Sequence, residues 1–275
     1  MRVKKTVAIT VGINALFLLF SGLSGVSRVY GYEMLSRALY YLGFALPLVL
    51  FVILARRYAL ESGLPRIIPD REGALLTLPL IAPALLGVMA LSFLTNLLLS
   101  LIGKSTVTEL SGDLFLLILL HALLPAVLEE LIFRYVPLTL VAPYSKKSAL
   151  VLSALFFALA HVNLFKLPYA LFAGVVYMWA DVMTGSVLPS MALHFVNNVV
   201  AILWQTNIAE GGFAVWALLI IAAVAAVSLA VAFALRKRYV RRSDFLFNKT
   251  DKVDIPNSAL LYVGAVGIIM ILSIF

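Results

Sequence analysis

Long apolar runs, broken by short polar or basic segments, set the pattern of this chain. Most runs reach the ~20 residues that a helix needs to cross the hydrocarbon core of a bilayer. They predict helical spans near 6–26, 39–55, 76–102, 114–141, 148–164, 167–184, 188–207, 213–235 and 258–275. The third and fourth are long enough to tilt or kink. Pro79, Pro83 and Pro125 offer kink points, since each removes a backbone donor. The fifth and sixth are separated by a few residues around Lys166 and should form a tight hairpin. The fold expected is all-α: a polytopic transmembrane helix bundle of eight or nine spans. Residues 1–275 form one integral membrane domain, with core helices over 113–207. There is no internal repeat, low-complexity tract or soluble domain. The first run is too long for a signal peptide and lacks a clear cleavage site, so it reads as a retained span.

Composition agrees. The chain is 63% hydrophobic and 12% charged, against about 25% charged in average soluble domains. It has no cysteine, which excludes disulfides and thiolate chemistry. The net charge of +8 could suggest nucleic acid, but the basic residues cluster at the ends of apolar runs, so no nucleic-acid partner is expected. With the N-terminus in the cytoplasm, the outer segments hold only Arg28, Arg37, Lys104 and Lys166. The cytoplasmic ones hold nearly all other Lys and Arg, as the positive-inside rule requires. The segment 236–257 is cytoplasmic with either span count, so charge does not vouch for the ninth span. The basic run Arg236 to Arg242 should meet anionic lipid headgroups. A multi-pass protein of the cell membrane is expected.

Against this background the polar residues inside the spans stand out. Two adjacent carboxylates, Glu129 and Glu130, and Arg134 fall within the fourth span. A charge at mid-bilayer costs roughly 2.5–3.5 kcal/mol on insertion scales, so such residues usually face the bundle interior and mark a site. Glu130 and Arg134 are four apart, acid before base, on one helical face, and can pair. Glu129 points about 100° round the helix and is the less neutralised of the two. It is the better candidate for a general base, whereas Glu130 and Arg134 read as structural support.

His121, His161, His194 and Asp181 also fall within predicted spans. His194 and Asn198 are four apart and share a face, so an imidazole and an amide can present two donors to one point, as an oxyanion hole needs. Asn197 faces elsewhere and fits a polar helix–helix contact. His161 alone is weak, since one imidazole can simply bond a backbone carbonyl. His121, four residues before Pro125, reads as structural. Asp181, just before Thr184-Gly185-Ser186, reads as a turn or helix-end residue.

Three motifs, EELIFR at 129–134, FALAH at 157–161 and HFVNN at 194–198, resemble the CAAX prenyl endopeptidase family. That family is also known as CPBP intramembrane metalloproteases or glutamate intramembrane proteases. The resemblance covers roughly 120–205. It implies peptide-bond hydrolysis in which Glu129 activates water, His161 holds and polarises it, and His194 with Asn198 stabilises the oxyanion. Glu130 and Arg134 match supporting positions. The partners implied are membrane lipids and a peptide or prenylated-protein C-terminus.

Glu129, His161 and His194 could also complete a zinc set with water in the fourth position. There is no H-E-x-x-H signature, and a glutamate base with an oxyanion hole explains the residues without a metal, so no cofactor is expected. The competing classes are a catalytically silent scaffold or regulator and a proton-coupled transporter, since buried Glu and His also serve proton relays. By residue count, His194 and Glu129 should stand on the order of 10 and 18 Å below the cytoplasmic surface, in a site reached from that side. His161 should be about thirteen residues into its own helix, well below that surface.

Overall fold

The computed structural model describes residues 2–62, 64–66, 68–101, 112–206, 212–247 and 252–272. Lys104, placed above in an outer segment, falls outside the described residues, as do the ends of the third, seventh and ninth predicted spans. Every predicted span is helical. The helices are α1 Arg2–Val29, α2 Glu33–Ser62, α3 Arg71–Leu101, α4 Leu114–Leu140, α5 Lys146–Ala160, α6 Leu167–Thr184, α7 Leu188–Gln205, α8 Gly212–Ala234, α9 Arg236–Leu246 and α10 Asn257–Leu272. Among the described residues the only β pairing is one bridge, Arg66 with Ser186.

Among the described residues five helices are long and apolar enough to cross a membrane alone: α1, α2, α3, α4 and α6. The bent pair α8–α9, which turns by 69°, adds a sixth if it counts as one span. The shorter α5, of 15 residues, has much of its length buried inside the bundle. The lipid-facing helices expose large apolar side chains, among them Leu19, Val49, Phe93 and Ile220. This is a multi-pass membrane protein.

The two helix irregularities in α4 have a common cause. Its turns widen to π geometry over Ile118–Leu123 and Leu131–Tyr135. Leu124 N–H then reaches back five residues to Leu119 O, and Val136 N–H to Leu131 O. Each widened stretch ends just before a proline, Pro125 and Pro137. A proline has no N–H and its ring crowds the carbonyl four residues back. A π-bulge relieves that crowding. For Pro137 the orphaned carbonyl belongs to Phe133, and Ser153 of α5 supplies the missing donor at 2.5 Å. Of the predicted kink points, Pro79 sits in a tight 3-10 turn, Leu78–Leu80, within α3.

The α5–α6 hairpin forms as expected, and glycine sets its closeness. A Cβ on Gly174 would stand 2.8 Å from Ala154 Cα, so only glycine lets these backbones approach. Here the structure corrects the fifth span. It ends at Ala160, not near 164, and His161 is its capping residue. Val162 follows with φ of 44°, an outlier for a β-branched residue. His161 is thus held at a helix end beside a strained turn.

Segments predicted to share one side of the membrane meet at one end of the bundle. Asp70 N–H bonds Thr184 O at 2.9 Å. Ser145 Oγ donates to Lys252 O at 3.1 Å, and Asp254 N–H to Ser148 Oγ at 2.8 Å. The basic run forms α9; Arg236, Lys237, Arg238 and Arg241 are exposed, and Arg242 turns inward. Arg242 Nη2 bonds Asp70 Oδ2 at 2.7 Å and Met183 O at 2.8 Å. Tyr239 hydroxyl donates to Leu76 O. Asp70 and the Met183 carbonyl thus hold that guanidinium.

Candidate active site

The site forms where α4, α5, α6 and α7 meet. α7 packs along α4, and Ala122 and Ile202 close the apolar contact on one side. Phe133, Phe157, Tyr177 and Leu193 belong to the main core on the other. Glu130 and Arg134 are fully buried and pair through Oε1 and Nη1 at 2.9 Å. Burying two charges costs several kcal/mol per ion, which the pair offsets only with further partners. Arg134 finds one in Phe157, whose ring centroid is 3.9 Å from the guanidinium carbon, and a weaker one in Tyr177 at 5.3 Å. Desolvated cation–π contacts of this kind contribute about 2 kcal/mol.

The second partner of Glu130 comes from another helix. His194 Nδ1 is 2.6 Å from the same Oε1. Arg134 already donates there, so that oxygen is an acceptor and Nδ1 carries the proton. This fixes the tautomer and aims Nε2 the other way, towards Glu129, whose Oε2 is 4.0 Å from it. Glu129 is the accessible member of the pair: its side chain is 21% exposed, against 0% for Glu130. Adjacent carboxylates therefore have different surroundings. One is consumed by Arg134 and His194, and the other keeps a partly exposed side chain.

His161 joins this group through an aromatic contact. Its ring packs edge-on to Phe157 at 5.1 Å, and Phe157 packs edge-on to His194 at 5.5 Å. His161 Nδ1 bonds Phe157 O at 2.9 Å. A carbonyl only accepts, so Nδ1 carries the proton and Nε2 keeps a lone pair. Asn198 is half-buried, one turn beyond His194 on the same face of α7. Asn197 is half-buried too. His121 is exposed on the widened turn of α4, away from the buried group. Asp181 is fully buried near the end of α6 and accepts Ser190 N–H at 3.1 Å.

The structure thus gathers Glu129, Glu130, Arg134 and His194 by direct approach, and His161 by way of Phe157. Among the described residues no three His, Cys, Asp or Glu side chains are grouped to hold a metal ion. Phe157 and Tyr177 are the partners that sequence reading missed. Their signal was spacing: Phe157 precedes His161 by four residues, and Tyr177 precedes Asp181 by four. Tyr40, from α2, also comes within electrostatic reach of Glu129.

An all-helical membrane bundle that buries an acid–base–imidazole relay beside an accessible carboxylate has the makings of an intramembrane hydrolase. Residues 111–200 match the family described as type II CAAX prenyl endopeptidase, Rce1-like. This segment carries all three motifs, and over it the chain is similar to the CAAX prenyl endopeptidase family. No curated protein and no solved structure gives a significant match.

Proposed function

We propose that this protein is an intramembrane endopeptidase that hydrolyses a peptide bond near a membrane-associated C-terminus, with Glu129 as the base that activates water. The observation that carries the reading is the split between the adjacent carboxylates. Glu130 is locked by Arg134 at 2.9 Å and His194 at 2.6 Å, while Glu129 is left 21% exposed with His194 Nε2 at 4.0 Å.

Water between Glu129 and the histidines gives up a proton to Glu129 and attacks the substrate carbonyl. The lone pair on His161 Nε2 accepts the other water hydrogen and orients it. In its protonated form His194 points an Nε2–H at the developing oxyanion, with Glu130 supporting the imidazolium from behind. Asn198 supplies a second donor from the same face. Glu129 then returns its proton to the leaving amine. The substrate enters from the cytoplasm, the side that the positive-inside pattern gives to the start of α7. A prenylated CAAX-type C-terminus is the substrate suggested by the family.

The test is cleavage of a farnesylated C-terminal peptide against its unprenylated twin, with wild type and Glu129→Ala in parallel. The reading expects cleavage by wild type and none by the variant, and a preference for the farnesylated peptide. Equal cleavage by Glu129→Ala would remove Glu129 as the base. A variant that keeps its cellular phenotype without Glu129 and His161 would point to a scaffold instead.

A further inference from the structure

Behind the relay, five buried polar atoms have no hydrogen-bond partner among the described residues: Glu130 Oε2, Arg134 Nε and Nη2, the Tyr177 hydroxyl and Asp181 Oδ2. All four residues are at most 1% exposed. They come from two helices that meet. Glu130 and Arg134 are one turn apart on α4, and Tyr177 and Asp181 one turn apart on α6. The Tyr177 ring faces the Arg134 guanidinium and is 5.8 Å from the His194 ring. Asp181 is within electrostatic reach of both Glu130 and Arg134. Its other oxygen is held by Ser190 N–H, at the start of α7.

Buried polar atoms are seldom left bare. Where protein supplies no partner, ordered water does. The groups here are complementary. Arg134 Nε and Nη2 offer three N–H donors, Glu130 Oε2 and Asp181 Oδ2 accept, and the Tyr177 hydroxyl does both. We infer that water held between α4, α6 and α7 joins Arg134 to Asp181 and Tyr177, and that Asp181 is a positioning residue for the Glu130–His194 pair. Arg134 is then held by two carboxylates, Glu130 directly and Asp181 through water. Its orientation fixes Glu130 Oε1, on which His194 hangs. The catalytic consequence rests on the peptidase reading above; the hydrated link does not.

Two variants of the full-length protein decide it without substrate. Tyr177→Phe removes only the hydroxyl. If water binds there, the variant leaves that water short of a partner and Tm falls. If the space is dry, an orphaned polar atom is removed and Tm stays or rises, which would overturn the inference. Asp181→Asn keeps an oxygen for Ser190 N–H but can place a donor where Arg134 needs an acceptor. The imidazole Nδ1–H resonance of His194 should shift in Asp181→Asn and stay in place in Ser190→Ala, which keeps the backbone bond. An unmoved resonance in Asp181→Asn overturns the positioning role. With a cleavable peptide, Asp181→Asn should lower kcat about tenfold and leave KM unchanged, the effect of weakening one charged contact in the transition state. If wild type cleaves nothing, the peptidase proposal fails, and the Tm and resonance results still decide this one.

Discussion

His194 donates its Nδ1–H to Glu130 Oε1 across 2.6 Å, and Arg134 donates to the same oxygen at 2.9 Å. One carboxylate oxygen therefore sets the tautomer of a histidine on α7 and offsets a fully buried guanidinium on its own helix. Glu130→Ala leaves Arg134 buried without its direct counter-charge. The expected loss is about 3–5 kcal/mol of stability, read as a large drop in thermal unfolding temperature in detergent. A wild-type melting curve would show that Arg134 is compensated elsewhere.

Glu129 carries no such structural duty. Glu129→Gln should unfold within about 0.5 kcal/mol of wild type. Its peptide hydrolysis should drop by roughly 10²–10⁴-fold, the usual contribution of a positioned general base. The pairing of intact stability with lost turnover is the signature to look for in parallel melting and cleavage assays.

Ser153 satisfies the Phe133 carbonyl that Pro137 orphans. Ser153→Ala strands that carbonyl in the core at a cost of about 1–3 kcal/mol. Adding Pro137→Ala, which restores an N–H to the helix, should recover part of the loss. A double variant no better than Ser153→Ala would argue against the proline as the cause.

Gly73 is where α3 meets the end of α6. A Cβ there would stand 2.2 Å from Met183 O. Gly73→Ala must push the two helices apart, with an expected cost of about 1–3 kcal/mol. Gly12, whose Cβ would meet nothing within 4 Å, is the matched control, and Gly12→Ala should melt no lower than wild type.

Asp70, just outside the spans, has its carboxyl held below the ordinary value, first by the Gly73 N–H bond and then by the nearby Arg242 charge. A depressed carboxyl stabilises the fold fully above its unfolded value of about 3.9, and that contribution is lost as pH falls through the lower folded value. The gap in Tm between wild type and Asp70→Asn should thus stay constant from neutral pH down to about 5. Below about pH 4 it should shrink. A gap that widens in acid would reverse the sign argued here.

Much of this was legible along the chain, because a bilayer imposes its length and polarity on each segment separately. The apolar runs gave helices, and the four-residue spacing of Glu130 and Arg134 gave their pairing. What was not legible depended on neighbours. The end of α5 at Ala160 follows from the strained turn at Val162, which no apolar count could reveal. The basic run became a docked helix because Arg242 found Asp70 and Met183 O, contacts 172 and 59 residues distant in sequence.

By itself the sequence determined an all-α membrane bundle, its motifs and which carboxylate of the pair had a partner on its own helix. Only the tertiary structure decided that His194 also belongs to Glu130, that Phe157 stands between both site histidines, and that Asp181 is buried within electrostatic reach of Glu130 and Arg134. The physical reason is range. Helical periodicity fixes which residues share a face within a few turns. Which faces meet is settled by the packing of glycines, prolines and rings between helices, and by the need of every buried charge to find a partner.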